Sequence, residues 1–432
     1  MLSGTASIRV RSGHQLSRLL STRASTVLAA LDIDTSEGST VLGVYDGTWK
    51  GSGEVLESVC PTTGEVLARV RAASPQELQS ALKKSREAYK FFRSVPAPRR
   101  GEILRQIREA LAAKRDALGA LISLEMGKIR TEGVGEVQEF VDIADYAVGL
   151  SRMMNGRVVA SERPGHSILE VPNPLGVVAV LSAFNFPVAV YGWNLALSLA
   201  AGNATLWKPS PSTPLCSVAV TKIVSAVLEK NGIPGAVAGL VIGGKEVGEA
   251  VVESSDVDME ILCGGSPFAE SELQSEMHGG NWVKPTVAIP TKVDLQDAIW
   301  STETFAPVLC VGVFDELEEA IEWNNGVPQG LSSSLWTRDL RNLGKWIGPA
   351  GSDAGIVNVR KQHHSFVSIC QTLDFRSTSE QVGQKLVLHL VGTRGRESGG
   401  DAWKQYVRWS ACTINFSDEA PLAQGVNFSA TA

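Results

Sequence analysis

The chain has 432 residues, 44% of them hydrophobic and 20% charged, enough to bury a large core and to divide into two or three domains. A net charge of -6 at pH 7 gives no basic field for nucleic acid or an anionic membrane, and no apolar run reaches the length of a membrane span, so a small-molecule substrate is the class left. The cysteines, Cys60, Cys216, Cys263, Cys310, Cys370 and Cys412, have no paired spacing, which argues against a disulfide framework and a zinc site and for a reducing compartment.

Residues 1–28 differ in composition from the rest of the chain. The stretch to Ala30 carries Arg9, Arg11, Arg18 and Arg23 among Ser, Thr and apolar residues, with no acid before Asp32. That is the composition of a mitochondrial transit peptide, to be left out of the folded domain. A chloroplast address, or a basic tail with no address on a cytoplasmic protein, has the same composition.

Residues 53–61 and 64–70 alternate well enough for two short strands across the turn Pro61-Thr62-Thr63-Gly64. Ser74-Pro75-Gln76-Glu77 then gives an N-cap, a Pro at the first helical position and an acid in the first turn. Pro98 to Leu124 is a second amphipathic stretch. Glu132 to Met154 is a third, with Val137, Phe140, Val141, Ala144 and Leu150 at helical spacing.

The segment 176–214 is the most informative. Val177 to Leu181 is a continuous apolar run suited to a strand buried on both faces of a parallel sheet, and a helix runs from Pro187 to about Ala200. Ala204 to Trp207 is a second such strand, with Lys208 at its carboxyl end, the edge at which open parallel sheets bind ligands. Thr213 to Lys230 is the next helix and Ala236 to Ile242 a third strand. In the following turn, 243–248, glycines can let backbone amides and a helix N-terminus approach a pyrophosphate. Gly-Gly before a helix is by itself an ordinary tight turn, and acquires meaning from Asn185 and Lys208 upstream.

Strand, Asn-Phe-Pro turn, helix and Lys-terminated strand, with the downstream Ser301-Thr302-Glu303-Thr304-Phe305-Ala306-Pro307, resemble the aldehyde dehydrogenase superfamily. The resemblance implies NAD as cofactor, a small-molecule aldehyde as substrate and oxidation to the carboxylate. It assigns the side-chain amide of Asn185 to the aldehyde oxygen as it becomes an oxyanion. Phe184, Lys208, Gly244, Gly248, Glu303 and Phe305 fall at cofactor-contacting positions, and no metal is implied. The reaction also needs a cysteine thiolate and a carboxylate that activates water. The family carries these in Gly-Gln-x-Cys and Glu-Leu-Gly-Gly, and the chain contains neither.

Two breaks account for the loss. After Asp256-Val257-Asp258 the sequence moves at once to Met259-Glu260-Ile261-Leu262-Cys263-Gly264-Gly265, skipping the remaining nucleotide-domain strands and the catalytic loops. Beyond Val359, residues 360–393 replace the glycine-rich loop expected at the aldehyde, and family character returns near Gly395. A retained intron or erroneous gene model explains both breaks. Cys263 reads as part of a later surface strand and turn, and Cys310 as a small core residue in the strand Pro307 to Phe314. The pair His363-His364 lacks further ligands at metal-binding spacing.

Within the superfamily the antiquitin branch, the alpha-aminoadipic semialdehyde dehydrogenases of lysine catabolism, is most similar, through residues 136–150, 184–194, 329–334 and 399–415. That match places Glu139 against the amino group of an amino-acid semialdehyde. An exposed helix charge is the plain alternative for Glu139.

The expected fold class is α/β. It comprises N-terminal helices and an incomplete Rossmann-type NAD-binding domain of about three strands over 29–258, and a truncated catalytic α/β domain over 259–359. The anomalous segment 360–393 and a C-terminal return over 394–432 complete the chain. The return's strand, Tyr406 to Phe416, would pair with residues 165–170 in a small β element for homo-oligomerisation to a dimer or tetramer. Loss of later strands is expected to leave the nucleotide sheet with an unpaired edge. The parent function is NAD-dependent aldehyde oxidation; the alternative is a catalytically dead NAD-binding or oligomer-capping subunit.

Overall fold

The computed structural model describes residues 24–36, 38–262, 286–288, 293–295, 298–301, 308–327, 332–354, 356–360, 368–372, 381–382, 385–389 and 400–418. A helical segment, α1, occupies residues 24–30. Its Leu28 is buried with Leu31 and Ile33 in the main core. The folded body therefore reaches back to Ala24 and takes in the last five residues, 24–28, of the stretch that the basic composition assigned to a leader.

Short strands β1 (Val41–Leu42), β2 (Val44–Tyr45) and β3 (Trp49–Lys50) precede the predicted hairpin of β4 (Val55–Val59) and β5 (Val66–Arg71). Helix α2 (Pro75–Phe92) begins at a full capping box. Ser74 Oγ accepts from the Glu77 amide, and Glu77 accepts from the Ser74 amide, so two end donors are satisfied reciprocally. Helices α3 (Ala97–Met126) and α4 (Arg130–Met153) come next, then β6 (Arg157–Val159) and β7 (His166–Pro174).

The nucleotide-binding unit alternates as predicted: β8 (Val177–Leu181), α5 (Ala189–Ala201), β9 (Ala204–Lys208), α6 (Pro214–Lys230), β10 (Ala238–Val241) and α7 (Lys245–Val252). Val178 and Val180 of β8 pack with Tyr191, Leu195 and Trp207 on one face. Val177 and Ala179 pack with Leu78, Leu82 and Val251 on the other. Two-sided burial is why this strand reads as an unbroken apolar run. Gly192 allows the close approach of α4 and α5, since a Cβ there would lie 2.3 Å from the Phe140 ring.

The sheet corrects two expectations. Strand β11 (Met259–Leu262) is not part of a second domain; it pairs in parallel with β8, Met259 opposite Val178 and Leu262 opposite Leu181. Nor is the β8–β11 edge left open, because β18 (Lys385–His389), from the anomalous segment, pairs in parallel with β11. The parallel strands run β18-β11-β8-β9-β10. Numbered along the chain from β8, that order is five-four-one-two-three, with the crossover reversal between β8 and β11. Strands β2 and β3 extend the β10 side, and β17 (Gln381–Val382) pairs antiparallel with β18.

Between β11 and β17 lies a second α/β portion. Strands β12 (Thr286–Ala288) and β13 (Val308–Cys310) pair in parallel, with the short helix α8 (Ala298–Ser301) between them in sequence. Helix α9 (Leu317–Asn325), strand β14 (Ser332–Trp336) and helix α10 (Leu340–Ile347) share a core of Leu317, Ile321, Leu335 and Trp346. Strand β14 is flanked by β15 (Ile356–Arg360) and by β16 (Ser368–Thr372), again from the anomalous segment. Cys310 is partly exposed rather than a core residue. The expected small β element is present: β19 (Val407–Asn415) pairs antiparallel along the full length of β7, with β6 on the far side.

Candidate cofactor-binding site

The carboxyl ends of β8 and β9 meet at Leu181 and Lys208, which are cross-strand partners. Ser182 continues the contact: its amide donates to the Lys208 carbonyl at 3.2 Å, and its hydroxyl accepts from Trp207 Nε1 at 2.8 Å. Trp207 is in turn fixed by a parallel stack on Tyr191 of α5, centroids 3.8 Å apart. The edge is therefore held by packing and hydrogen bonds before any ligand arrives.

Lys208 is largely sheltered, and burial pushes its ammonium below the ordinary lysine value, with no compensating carboxylate among the described residues. Such a group gains from a partner rich in oxygen. Beside it stands the first turn of α7. A Cβ at Gly248 would lie 3.7 Å from Lys208 Cε, whereas one at Gly244 would meet nothing within 4 Å. The N-cap of α7 is Gly244, which brings no side-chain cap of its own, so among the described residues its first amides are left to an anion. Gly243 is required by contact: a Cβ there would fall 2.4 Å from Val247. Lysine, open helix N-terminus and glycine turn fit the ribose and pyrophosphate of a dinucleotide.

The loop after β8 carries Phe184 and Asn185, both partly exposed. It leaves the sheet at the crossover reversal, between the ends of β8 and β11, where open α/β sheets take ligands. Glu136 of α4 governs where the loop rejoins the fold: its Oε1 accepts from the amides of Val188 at 2.7 Å and Ala189 at 3.1 Å. Helix α5 has no cap from its own N-cap residue, and this buried carboxylate supplies one. Glu139 lies one turn further along α4. Glu139 is exposed at the surface; partial desolvation of its carboxyl, and then the charge of Glu136, raise it above the ordinary value, while Lys128 opposes them.

Lys208, Gly244, Gly248, Phe184 and Asn185 thus share one sheet edge, with Glu139 on the neighbouring helix. Glu303, Phe305 and Cys263 lie outside the described residues. Glu136 escaped sequence reading although it left a signal: an acid among Gly133, Val137, Phe140 and Ala144, on the stripe that helical spacing buries.

Cys60 and Cys216 are buried, and Cys412 is exposed on β19. Cys216 has its thiol pushed well above the ordinary value by burial and by Glu125, which suppresses the reactive thiolate. Glu125 is itself engaged, accepting from Ser58 Oγ at 2.6 Å and from the amides of Leu215 and Cys216, each at 2.8 Å.

The sequence model of the aldehyde dehydrogenase family matches residues 49–271 and 259–371. The two matches overlap at 259–271, beginning at the seam read after Asp258. The alpha-aminoadipic semialdehyde dehydrogenase of Bos taurus is 38% identical over 502 residues, covering 89% of this chain and 90% of that protein. Aldehyde dehydrogenase family 7 member A1 of Pisum sativum is 36% identical over 508 residues, covering 90% of this chain and 97% of the other. Both alignments are longer than the 432 residues of this chain, so these relatives contain positions without a counterpart here. Betaine aldehyde dehydrogenase from Staphylococcus aureus, solved in complex with NAD+, superposes with a TM-score of 0.73 at 18% identity, over 94% of this chain and 99% of that one. That likeness bears on the fold.

Proposed function

The chain belongs to the aldehyde dehydrogenase family, and from that membership and the geometry of its sheet edge we propose that its parent function is the NAD-dependent oxidation of an aldehyde to a carboxylate. The observation that carries this reading is the juxtaposition of Lys208, Gly248 and the glycine-led N-terminus of α7 at the carboxyl edge of the sheet. NAD, when bound, supplies the hydride acceptor. Lys208 holds its ribose hydroxyls, the α7 amides hold its pyrophosphate, and Phe184 borders it. Asn185 donates its amide hydrogen to the aldehyde oxygen. Glu303 and Phe305 complete the cofactor site in the residue-by-residue carry-over from the family.

The substrate in this reading is an amino-acid semialdehyde such as alpha-aminoadipic semialdehyde, placing the protein in lysine catabolism. Glu139 supports it, as a carboxylate on the helix whose Glu136 secures the Asn185 loop, suited to meet an ammonium. Residues before Ala24 act as a mitochondrial address. The subunits assemble as a homodimer or homotetramer through the β19-β7-β6 sheet, whose edge strands expose Val158 and Ile414.

A second reading concerns the polypeptide with this sequence. The family's cysteine and glutamate motifs are missing; Cys60 and Cys216 are buried, Cys310 is partly exposed on β13 and Cys412 lies on β19. In this reading the chain is an NAD-binding or oligomer-capping subunit without turnover, or the product of an erroneous gene model.

Calorimetric titration with NAD, comparing the parent chain with Lys208→Ala, tests the cofactor site. The expected result is saturable binding weakened at least about tenfold by the substitution, the loss of roughly one charge-assisted hydrogen bond. Tight binding indifferent to Lys208→Ala would remove the assigned site.

A further inference from the structure

We infer that Lys128 and Glu136 are positioning residues for the loop that carries Asn185, a reading that rests on the proposed cofactor and aldehyde site. The loop is short, Ala183 to Pro187, and runs between two anchors. Upstream, Ser182 is tied to Lys208 and Trp207. Downstream, Glu136 Oε1 holds the amides of Val188 and Ala189.

The lysine joins the downstream anchor to the loop itself. Lys128 Nζ pairs with the other carboxylate oxygen, Glu136 Oε2, at 2.7 Å, and lies 3.5 Å from the ring centroid of Phe186. The side chains of Lys128 and Glu136 are 15% and 1% exposed, so the ion pair operates with little solvent screening, while Phe186 is exposed and its cation–π contact lies at the solvent boundary. One ammonium therefore touches the carboxylate that caps α5 and the ring next to Asn185. A carboxylate alone would be a helix cap. The bridge to Phe186 fixes the direction in which the chain enters the helix, and with it the placement of Asn185.

The Lys128–Glu136 pair also separates two acids on one helix. Glu136 raises the Glu139 carboxyl and Lys128 lowers it, so the same ammonium that orders the loop tempers the field at the residue proposed to meet the substrate's amino group.

The test uses the full chain and three variants: Lys128→Met, Lys128→Arg and Glu136→Gln. Hydrogen-exchange mass spectrometry over residues 183–190, thermal melting and NAD titration are measured on each. Lys128→Met is expected to speed exchange in that segment about tenfold and to weaken NAD binding several-fold, with a fall in melting temperature no larger than that of Glu136→Gln, since the buried Glu136 carboxylate loses its counter-ion but keeps its two amide donors. Lys128→Arg should restore both, because a guanidinium can pair and stack. Glu136→Gln should speed exchange in the same segment.

Unchanged exchange at 183–190 in both Lys128→Met and Glu136→Gln would overturn the inference. So would acceleration spread across the chain with a matching fall in melting temperature. If the parent chain fails to bind NAD, the cofactor reading falls, and the exchange comparison still decides whether the pair holds the loop.

Discussion

Arg86 and Asp258 form an ion pair of 2.6 Å at the base of the central sheet. The same carboxylate oxygen accepts from the amide of Val177 at 2.7 Å, and the Asp258 amide donates to the Val177 carbonyl at 2.9 Å. Asp258 is the last residue before the sequence seam, so this cluster fixes where the chain beyond it enters the sheet. With Asp258 clamped to the start of β8, Met259 falls opposite Val178 and the next residues continue in parallel register. Asp258→Ala should therefore destabilise the protein by about 1 to 3 kcal/mol, through a lost charge-assisted bond and an orphaned amide. Denaturant unfolding measures it; a change below about 0.5 kcal/mol would show that the cluster does not set the register.

Glu125 should matter to stability more than an ordinary surface acid. It is buried and accepts from Ser58 Oγ and two amides at the start of α6, a helix without a cap from its own N-cap residue. Glu125→Ala removes all three acceptor contacts and leaves a cavity, so a loss of roughly 2 to 4 kcal/mol is expected. Glu125→Gln keeps an acceptor oxygen and should cost less. Equal losses in the two variants would mean that packing, not capping, carries the effect.

Asp46 gives the protein an acid-sensitive fastening. Burial opposes its ionisation, but hydrogen bonds from Lys50, Lys84, Thr48 and Ser80 prevail and hold its carboxyl at about 2, below the ordinary 3.8. Since the folded value is depressed, the stabilisation is complete above about pH 4 and disappears as the pH falls through about 2. Asp46→Asn should forfeit roughly 1 to 2 kcal/mol at neutral pH and flatten the stability profile in that acid window. Parallel acid unfolding curves for the two proteins would contradict this.

The nucleotide core was legible in the sequence because its signals are local. An apolar run buried on both faces, a helix that starts just after Pro187 and a strand ending in Lys208 each carry their meaning within a few residues. The fate of the segments beyond the breaks was not legible. Met259 to Leu262 resembles a strand of a later domain, but sheet membership depends on a partner far back in the chain, Val178 opposite Met259. Likewise Lys385 to His389 belongs to no family pattern, yet its backbone completes the sheet beside β11, since an exposed parallel edge accepts any compatible strand. Glu136 and Lys128 escaped notice because their roles depend on contacts across helices and loops.

The most direct test of the functional account is the formation of NADH by the purified chain given NAD and alpha-aminoadipic semialdehyde. No enzyme-like turnover is expected, because Asn185 and the cofactor edge remain while the family's nucleophile and base motifs are absent. Steady NADH production that is blocked by thiol reagents and lost on Cys263→Ala would contradict it and place a working nucleophile at the seam.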